Sequence, residues 1–246
     1  MKVAMITGAN RGIGLELTKR LLSLKKDEKD GIVIACSRHI SEELNELKKH
    51  PNLLHVELDI TCQKSVDNSF SKISTVLKGR GINMLINNAG ILLSRERPSN
   101  TTADDFMKTF DVNVVGTHRV TMKFAPLLCL AAEQNHNVAI GCHKALCLNI
   151  SSILGSISNT QQMMTTSYNV SKAALNMLTR VTSIEFLQKG VLCCSVHPGW
   201  VQTDMGGPNA SLTTKTSVDG LINVIENATV EHNGVMLGTN MNVIPF

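Results

Sequence analysis

Short apolar runs alternate with helix-forming segments along the whole chain, and this alternation constrains the fold more than any other feature. Each run is a few residues long, is rich in β-branched or long aliphatic side chains, and is followed by Gly, Asn, Ser or Pro. The seven runs cover residues 3–6, 32–35, 53–58, 84–86, 145–150, 191–196 and 235–237. Strand–helix alternation of this kind predicts a parallel, doubly wound sheet.

The segments between the runs carry apolar residues at steps of three and four, as amphipathic helices do. The clearest one places on a single face Val170, Ala173, Ala174, Met177, Leu178, Val181 and Ile184. Of the 246 residues, 43% are hydrophobic and 18% charged, which is enough apolar material for a sizeable core. This length favours one domain over residues 1–246 rather than two small ones.

A glycine-rich turn joins the first run to the first helical segment. It consists of Thr7-Gly8-Ala9-Asn10-Arg11-Gly12-Ile13-Gly14. Gly8 permits a tight turn, Gly12 lets the backbone approach a pyrophosphate, and Gly14 lets the helix pack on the strand. The phosphates of a dinucleotide would then meet the helix N-terminus. We therefore predict a doubly wound Rossmann-like α/β fold, with a mostly or wholly parallel seven-stranded sheet and helices on both faces.

The end of the second run bears on the choice of cofactor. It reads Cys36-Ser37-Arg38-His39, where a site that prefers NAD would present an Asp or Glu to the ribose diol. Arg38 and Arg11 could instead bind a 2′-phosphate through charge-assisted hydrogen bonds, each worth about 1.5–3 kcal/mol. Either arginine alone could be an ordinary surface residue. Because both lie beside a phosphate-binding loop, we predict NADPH/NADP⁺ as the cofactor.

A tyrosine and a lysine on the strongest helical segment indicate proton-transfer chemistry. Tyr168 and Lys172 are four residues apart, which puts them on one helical face. A nearby ammonium stabilises phenolate and would lower the pKa of the tyrosine from about 10 towards neutrality. Such a phenol suits the protonation of a carbonyl oxygen as it receives a hydride. Ser151 and Ser152 follow the fifth run, where a hydroxyl could polarise the same carbonyl.

These motifs, taken together, resemble the short-chain dehydrogenases/reductases. The order and spacing of that family are matched by residues 7–14, Asp59, Asn87-Asn88-Ala89-Gly90, Asn113, Ser152, Tyr168, Lys172 and Pro198-Gly199. The resemblance runs from the first strand to about residue 205. Within the family, residues 149–156 and 197–207 are similar to the sniffer-type carbonyl reductases, as is the polar loop that begins at Glu133.

The resemblance implies a role for each matched position. Ser152 would orient the substrate carbonyl, Tyr168 would donate its proton, and Lys172 would bind the nicotinamide ribose and tune Tyr168. Asn113 would hold a kinked helix and a water of the proton relay. Asp59 would contact the adenine, and Val201 and Thr203 would hold the carboxamide. The predicted cofactor-binding set is Gly8, Asn10, Arg11, Gly12, Ile13, Gly14, Arg38, Asp59, Ile60, Asn88, Ala89, Gly90, Tyr168, Lys172, Pro198, Gly199, Val201 and Thr203.

The spacing departs from the family pattern at the catalytic serine. Ser152 lies sixteen residues before Tyr168, wider than is commonest in the family, so a small loop must bulge between them. Ser151 therefore stays open as an alternative partner of Tyr168.

The expected function is reduction of an aldehyde, ketone or quinone to an alcohol, with hydride from NADPH and a proton from Tyr168. One alternative is a non-catalytic NADPH-binding redox regulator, although such a protein need not keep Asn113, Ser152, Tyr168 and Lys172. The other is an NAD-dependent alcohol dehydrogenase, against which Arg11, Arg38 and the missing acid argue.

We also expect a homodimer through the helices around residues 106–125 and 170–186, which resemble those that pair in the family. A monomeric branch of carbonyl reductases carries a long insertion ahead of its tyrosine that the Ser152–Tyr168 interval is too short to hold.

Composition argues against other classes of partner. The formal net charge is +4, but the densest charged stretch, residues 25–30, alternates in sign and is predicted to be a solvated helix end rather than a nucleic-acid surface. No apolar run is long enough to cross a membrane, and residues 1–6 are too short for a signal core.

The seven cysteines are irregularly spaced, and Cys142, His143 and Cys147 lack a second ligand pair at zinc spacing. We expect no metal, and a cytoplasmic location.

Overall fold

The computed structural model describes residues 3–24, 31–161 and 163–246. The charged stretch at residues 25–30 lies outside the described residues. Eight strands form one sheet in the order β3-β2-β1-β4-β5-β6-β7-β8. Their bounds are β1 Val3–Thr7, β2 Ile32–Ser37, β3 Leu53–Glu57, β4 Met84–Asn87, β5 Leu146–Ile150, β6 Leu192–His197, β7 Met236–Gly238 and β8 Val243–Ile244.

The sheet confirms the doubly wound, mostly parallel α/β fold and corrects the strand count. The first seven strands pair in parallel and coincide with the seven apolar runs. β8 is the eighth strand and pairs antiparallel with β7, with Leu237 opposite Val243. Two residues are too short to give a periodic pattern, so the sequence did not predict this strand.

Helices cover both faces of the sheet, because alternate strand residues point to opposite sides. Ala4 and Ile6 pack in one apolar cluster with residues of α1 and α7, whereas Val3 and Met5 pack in a second with residues of α3 and α5. The helix bounds are α1 Gly12–Leu24, α2 Glu42–Leu47, α3 Gln63–Leu77, α4 Ala103–Phe110, α5 Thr117–Gln134, α6 Thr166–Gln188 and α7 Thr214–Asn227. Within the described residues no helix is long and apolar enough to span a bilayer.

Two features of the fold shape the region beyond the carboxyl ends of the strands. The strand order reverses between β1 and β4, and open α/β sheets bind ligands at such a point. In addition, a π-helical turn, Asp111–Gly116, joins α4 to α5 and carries Asn113. Turns of this kind are frequent at functional sites, and this one lies where the sequence predicts a kinked helix.

Candidate functional site

The glycine turn after β1 is locked to the segment that follows β4. Gly8 and Gly12 have φ angles of +66° and +54°, which favour glycine. A Cβ on Gly8 would lie 2.9 Å from the Cα of Ala89. The Asn88 side chain donates to the carbonyl oxygens of Thr7 (2.9 Å) and Gly8 (3.1 Å). The turn is therefore held close to the sheet, and its backbone is open on the other side.

A cleft of about 750 Å³ lies above this turn and the carboxyl ends of the strands. Most of the predicted cofactor residues line it, namely Gly8, Asn10, Arg11, Gly12, Ile13, Arg38, Asp59, Ile60, Asn88, Ala89, Gly90, Tyr168, Lys172, Pro198 and Thr203. Three others shape its walls instead. A Cβ on Gly14 would overlap the Gly8 carbonyl oxygen, and one on Gly199 would overlap the side chain of Leu212. Val201 is buried and forms a β-bridge with Leu212.

The two arginines predicted to bind a 2′-phosphate have different surroundings. Arg38 is exposed at the end of β2 and forms no ion pair with any residue that the structure describes. Arg11 forms an ion pair with Asp204, in which Nη1 and Oδ2 lie 2.6 Å apart. Asp204 lies in the same Pro-Gly segment as Thr203, and nothing in its sequence context predicts this ion pair. Arg38 is therefore the more available of the two for a phosphate.

Asp59 lies beside Arg38 on the same side of the cleft. Partial burial works to raise the pKa of its carboxyl group. Hydrogen bonds from the Thr61 hydroxyl and amide, together with the charges of Arg38 and Arg119, outweigh burial and lower the pKa below its ordinary value. The carboxylate stays ionised and fixed by Thr61, so it can act as a hydrogen-bond acceptor for a ligand.

Tyr168 and Lys172 occupy the first turns of α6, and both are buried. The Lys172 ammonium donates to the Ile150 carbonyl oxygen at 2.7 Å, and Nζ lies 5.5 Å from the centre of the Tyr168 ring. The Ser152 side chain lies close enough to the Tyr168 phenol to work against the rise of its pKa. The structure thus brings Tyr168 and Lys172, which line the cleft, close to Ser152, which lies just behind its wall.

The expected lowering of the Tyr168 pKa is wrong for this structure. Burial raises the pKa of Tyr168 to about 12, and the nearby Ser152 side chain offsets only part of that rise. Burial also lowers the pKa of Lys172 to about 8. The Lys172 ammonium does not lower the pKa of Tyr168 as expected, because its Nζ bonds to the Ile150 carbonyl oxygen and lies over the aromatic ring. At neutral pH the phenol therefore holds its proton, which is the form that can donate one.

The two serines after β5 have different partners. The Ser151 hydroxyl donates to Asn176 Oδ1 at 2.6 Å, and Ser151 is buried and lines the cleft. The Ser152 hydroxyl accepts from the Leu154 amide at 3.1 Å and meets the Tyr168 phenol. The wider interval before Tyr168 is filled by a short 3₁₀ turn, Ile153–Gly155, and a loop.

Asn113 ties three segments together beneath the cleft. Its Oδ1 accepts from the Ile91 amide at 2.8 Å, and its Nδ2 donates to the Ile91 carbonyl oxygen at 2.9 Å and to Ser171 Oγ at 3.0 Å. A Cβ on Gly90 would lie 3.3 Å from Asn113 Oδ1 and 3.7 Å from Lys172 Nζ. Gly90 therefore leaves open the narrow space between these two side chains.

The comparisons with known proteins agree with this geometry. The family model for short chain dehydrogenase matches residues 2–213. An uncharacterized oxidoreductase of Schizosaccharomyces pombe is 29% identical over 100% of this chain and 98% of its own length. In the described part of the chain, no group of three or more His, Cys, Asp or Glu side chains could hold a metal ion.

Among the solved structures that match over 100% of both chains are two carbonyl reductases. Carbonyl reductase Sniffer of D. melanogaster has a TM-score of 0.95 at 31% identity. The NADPH-bound carbonyl reductase from chicken fatty liver has a TM-score of 0.91 at 36% identity. The expected resemblance to sniffer-type carbonyl reductases is thus confirmed, and the chain belongs to the short-chain dehydrogenase family of oxidoreductases.

Proposed function

We propose that this protein is an NADPH-dependent carbonyl reductase that converts an aldehyde, ketone or quinone to an alcohol. The observation that carries the proposal is the buried cluster of Ser152, Tyr168 and Lys172, in which Lys172 Nζ lies 5.5 Å from the centre of the Tyr168 ring. When bound, NADPH supplies the hydride. Tyr168 donates its proton to the carbonyl oxygen, and the Ser152 hydroxyl orients that oxygen by a hydrogen bond.

Lys172 and Asn113 support this proton donor. Lys172 donates one N–H to the Ile150 carbonyl oxygen, and its other two N–H groups can donate to the ribose hydroxyls of the cofactor. Its ammonium would also favour the phenolate that remains after proton transfer. Asn113 anchors the segment after β4 to α6. Gly90, which has no side chain, leaves space beside Asn113 and Lys172 for a water of the proton relay.

The cleft fits a phosphorylated dinucleotide. Gly8 and Gly12 present bare backbone to a pyrophosphate at the N-terminus of α1, and Asp59 offers an acceptor to the adenine. Arg38 offers its guanidinium to the 2′-phosphate, with Arg11 as a second donor if it leaves Asp204. The remaining lining residues proposed to contact the cofactor are Asn10, Ile13, Ile60, Asn88, Ala89, Pro198 and Thr203; Gly14, Gly199 and Val201 hold the walls.

We also propose a homodimer of single-domain chains in the cytoplasm. An outward apolar face of α6, made of Val170, Met177, Val181 and Ile184, is between 44% and 63% exposed. Exposed contiguous apolar surface of this kind marks interaction sites. The cysteines are all free thiols, which fits a reducing compartment.

The function is tested by NADPH oxidation against quinones, diketones, aromatic aldehydes and steroid ketones. Turnover of at least one class supports the proposal. NADPH binding without any turnover would instead support a non-catalytic regulator, and preferred oxidation of alcohols with NAD⁺ would support the dehydrogenase alternative.

Cofactor choice is tested separately at Arg38. Loss of a charge-assisted hydrogen bond costs about 1.5–3 kcal/mol, so Arg38→Ala should raise the KM for NADPH about ten- to 150-fold and leave that for NADH nearly unchanged. Arg38→Asp should go further by repelling the 2′-phosphate and accepting from a diol. Arg11→Ala is the matched variant and should have the smaller effect, because Arg11 is paired with Asp204. If Arg38→Ala raises the KM for NADPH and the KM for NADH equally, Arg38 has a structural role and does not bind the 2′-phosphate.

A further inference from the structure

Asn176 lies one helical turn beyond Lys172 on α6 and is only 1% exposed. Its Oδ1 accepts from the hydroxyls of Ser151 at 2.6 Å and Ser195 at 3.4 Å. Its Nδ2 donates to the Gly155 carbonyl oxygen at 3.1 Å. One buried amide therefore holds both ends of the segment 151–155, which contains Ser152.

Ser152 begins the 3₁₀ turn that this amide holds. The Ser152 carbonyl accepts from the Gly155 amide at 2.9 Å, and its Oγ accepts from the Leu154 amide at 3.1 Å. Because Ser151 and Gly155 are both fixed to Asn176, the intervening backbone cannot shift along the helix without breaking a buried hydrogen bond. The position of Ser152 is thus fixed relative to α6, the helix that also carries Tyr168.

Gly155 shows how closely the turn lies on the helix. A Cβ there would be 2.6 Å from the carbonyl carbon of Lys172 and 2.7 Å from its Cβ. The turn therefore rests directly on the backbone of the catalytic lysine. Close packing sets the height of the turn above the helix, and the Asn176 hydrogen bonds set its position along it.

We infer that Asn176 is a positioning residue that holds the Ser151–Gly155 turn in register with α6 and so places the Ser152 hydroxyl opposite the Tyr168 phenol. This inference rests on the proposed carbonyl reductase function. Asn176 does not line the cleft, so its effect on catalysis passes through the turn that it holds, and we assign that effect to Ser152.

The first experiment compares the near-isosteric variant Asn176→Leu with wild type. Misplacing a reacting group by about 1 Å can cost on the order of 100-fold in rate, so kcat should fall about ten- to 100-fold. The Kd for NADPH should stay within about threefold, because no cofactor contact is removed. Asn83→Leu is the matched control. Asn83 is a buried asparagine at the amino ends of the strands, where it bonds to Val3, His143 and Lys144. The Asn83→Leu variant should have a lower melting temperature and an unchanged kcat.

The second experiment asks whether Asn176 acts through Ser152. In a Ser152→Ala background, Asn176→Leu should lower kcat by less than about twofold, since the hydroxyl it positions is already gone. If the two losses multiply, Asn176 does not act through Ser152 and the inference is overturned. Should Asn176→Leu fail to fold, Ser151→Ala breaks one of the two anchors and should show the same non-additivity with a smaller loss.

A third measurement does not depend on any activity. Tyr168 is the only tyrosine of the chain, so [¹³Cζ]tyrosine labelling gives a single NMR signal that reports hydrogen bonding of the phenol. Ser152→Ala and Asn176→Leu should shift this signal in the same direction, and Asn83→Leu should leave it in place. An unmoved signal in Asn176→Leu overturns the inference. If the signal moves but the wild type reduces no carbonyl, the positioning stands and the proposed function fails.

Discussion

The two long faces of α6 have opposite character, and the polar one is inside. The face toward the sheet carries Tyr168, Lys172, Asn176 and Thr179, all of them buried. The face toward solvent carries the apolar residues Val170, Met177, Val181 and Ile184. A helix packed on a sheet ordinarily presents the reverse arrangement.

Hydrogen bonds explain how the inner face remains stable. The Thr179 hydroxyl accepts from the Asn149 amide at 2.8 Å and donates to the Leu175 carbonyl oxygen at 2.8 Å. Asn149 also accepts from Asn87 on the neighbouring strand at 2.8 Å. Each buried polar group that has partners specifies a geometry that apolar packing would leave looser. The inner face therefore fixes the site, and the outer face is available to a partner.

The largest expected effect comes from the inner face at Tyr168. Because Tyr168 supplies the proton, Tyr168→Phe should lower kcat by about 10²–10⁴ while NADPH binding stays nearly intact. The measurement is single-substrate kinetics at saturating NADPH, with cofactor binding followed by fluorescence. A variant that keeps a tenth or more of wild-type turnover would falsify the assignment of Tyr168 as the acid.

The next effect is the pH dependence that Lys172 should impose. Burial lowers the pKa of Lys172 to about 8, so the ammonium is present below that pH and loses its charge as the pH rises through it. The pH dependence of kcat/KM reports the pKa values of the free enzyme. The kcat/KM for NADPH should therefore fall about tenfold per pH unit above about pH 8. In Lys172→Met this alkaline limb should vanish from the residual activity. A wild-type profile that stays flat to about pH 10 would contradict the role of the charge.

What the sequence could predict follows from which properties are local. The glycine turn and the Tyr168–Lys172 spacing are set by a few consecutive residues, and the structure brings them to one cleft. The raised pKa of Tyr168 comes from burial, which depends on distant segments, so the sequence led to the wrong sign. Periodicity likewise located the apolar face of α6 without showing that it points outward. Asn176 gave no signal, because its partners are 19 to 25 residues away in sequence.

The outer face should determine the oligomeric state. Val181→Glu places a charge in the middle of the exposed apolar residues of α6, and burying an unpaired charge in an interface is unfavourable. We expect light scattering at micromolar concentration to show a dimer for wild type and the single-chain mass of 26.7 kDa for the variant. Val243→Glu is the matched control, because Val243 is also exposed but lies on β8 rather than on α6. A wild type that is already monomeric would refute the dimer.

The smallest expected effects come from a pair of nearly isosteric exchanges on the two faces. Thr179→Val leaves the Asn149 amide buried without an acceptor, which should cost about 1–3 kcal/mol of unfolding free energy. For a chain of this length that is a fall in melting temperature of about 2–4 °C per kcal/mol. Val181→Thr makes the reverse change on the outer face and should stay within about 0.5 kcal/mol at low protein concentration. Because a dimer is stabilised by mass action, any loss in Val181→Thr should grow with concentration, whereas that in Thr179→Val should not. Equal, concentration-independent losses in both variants would mean that the two faces do not differ as the structure indicates.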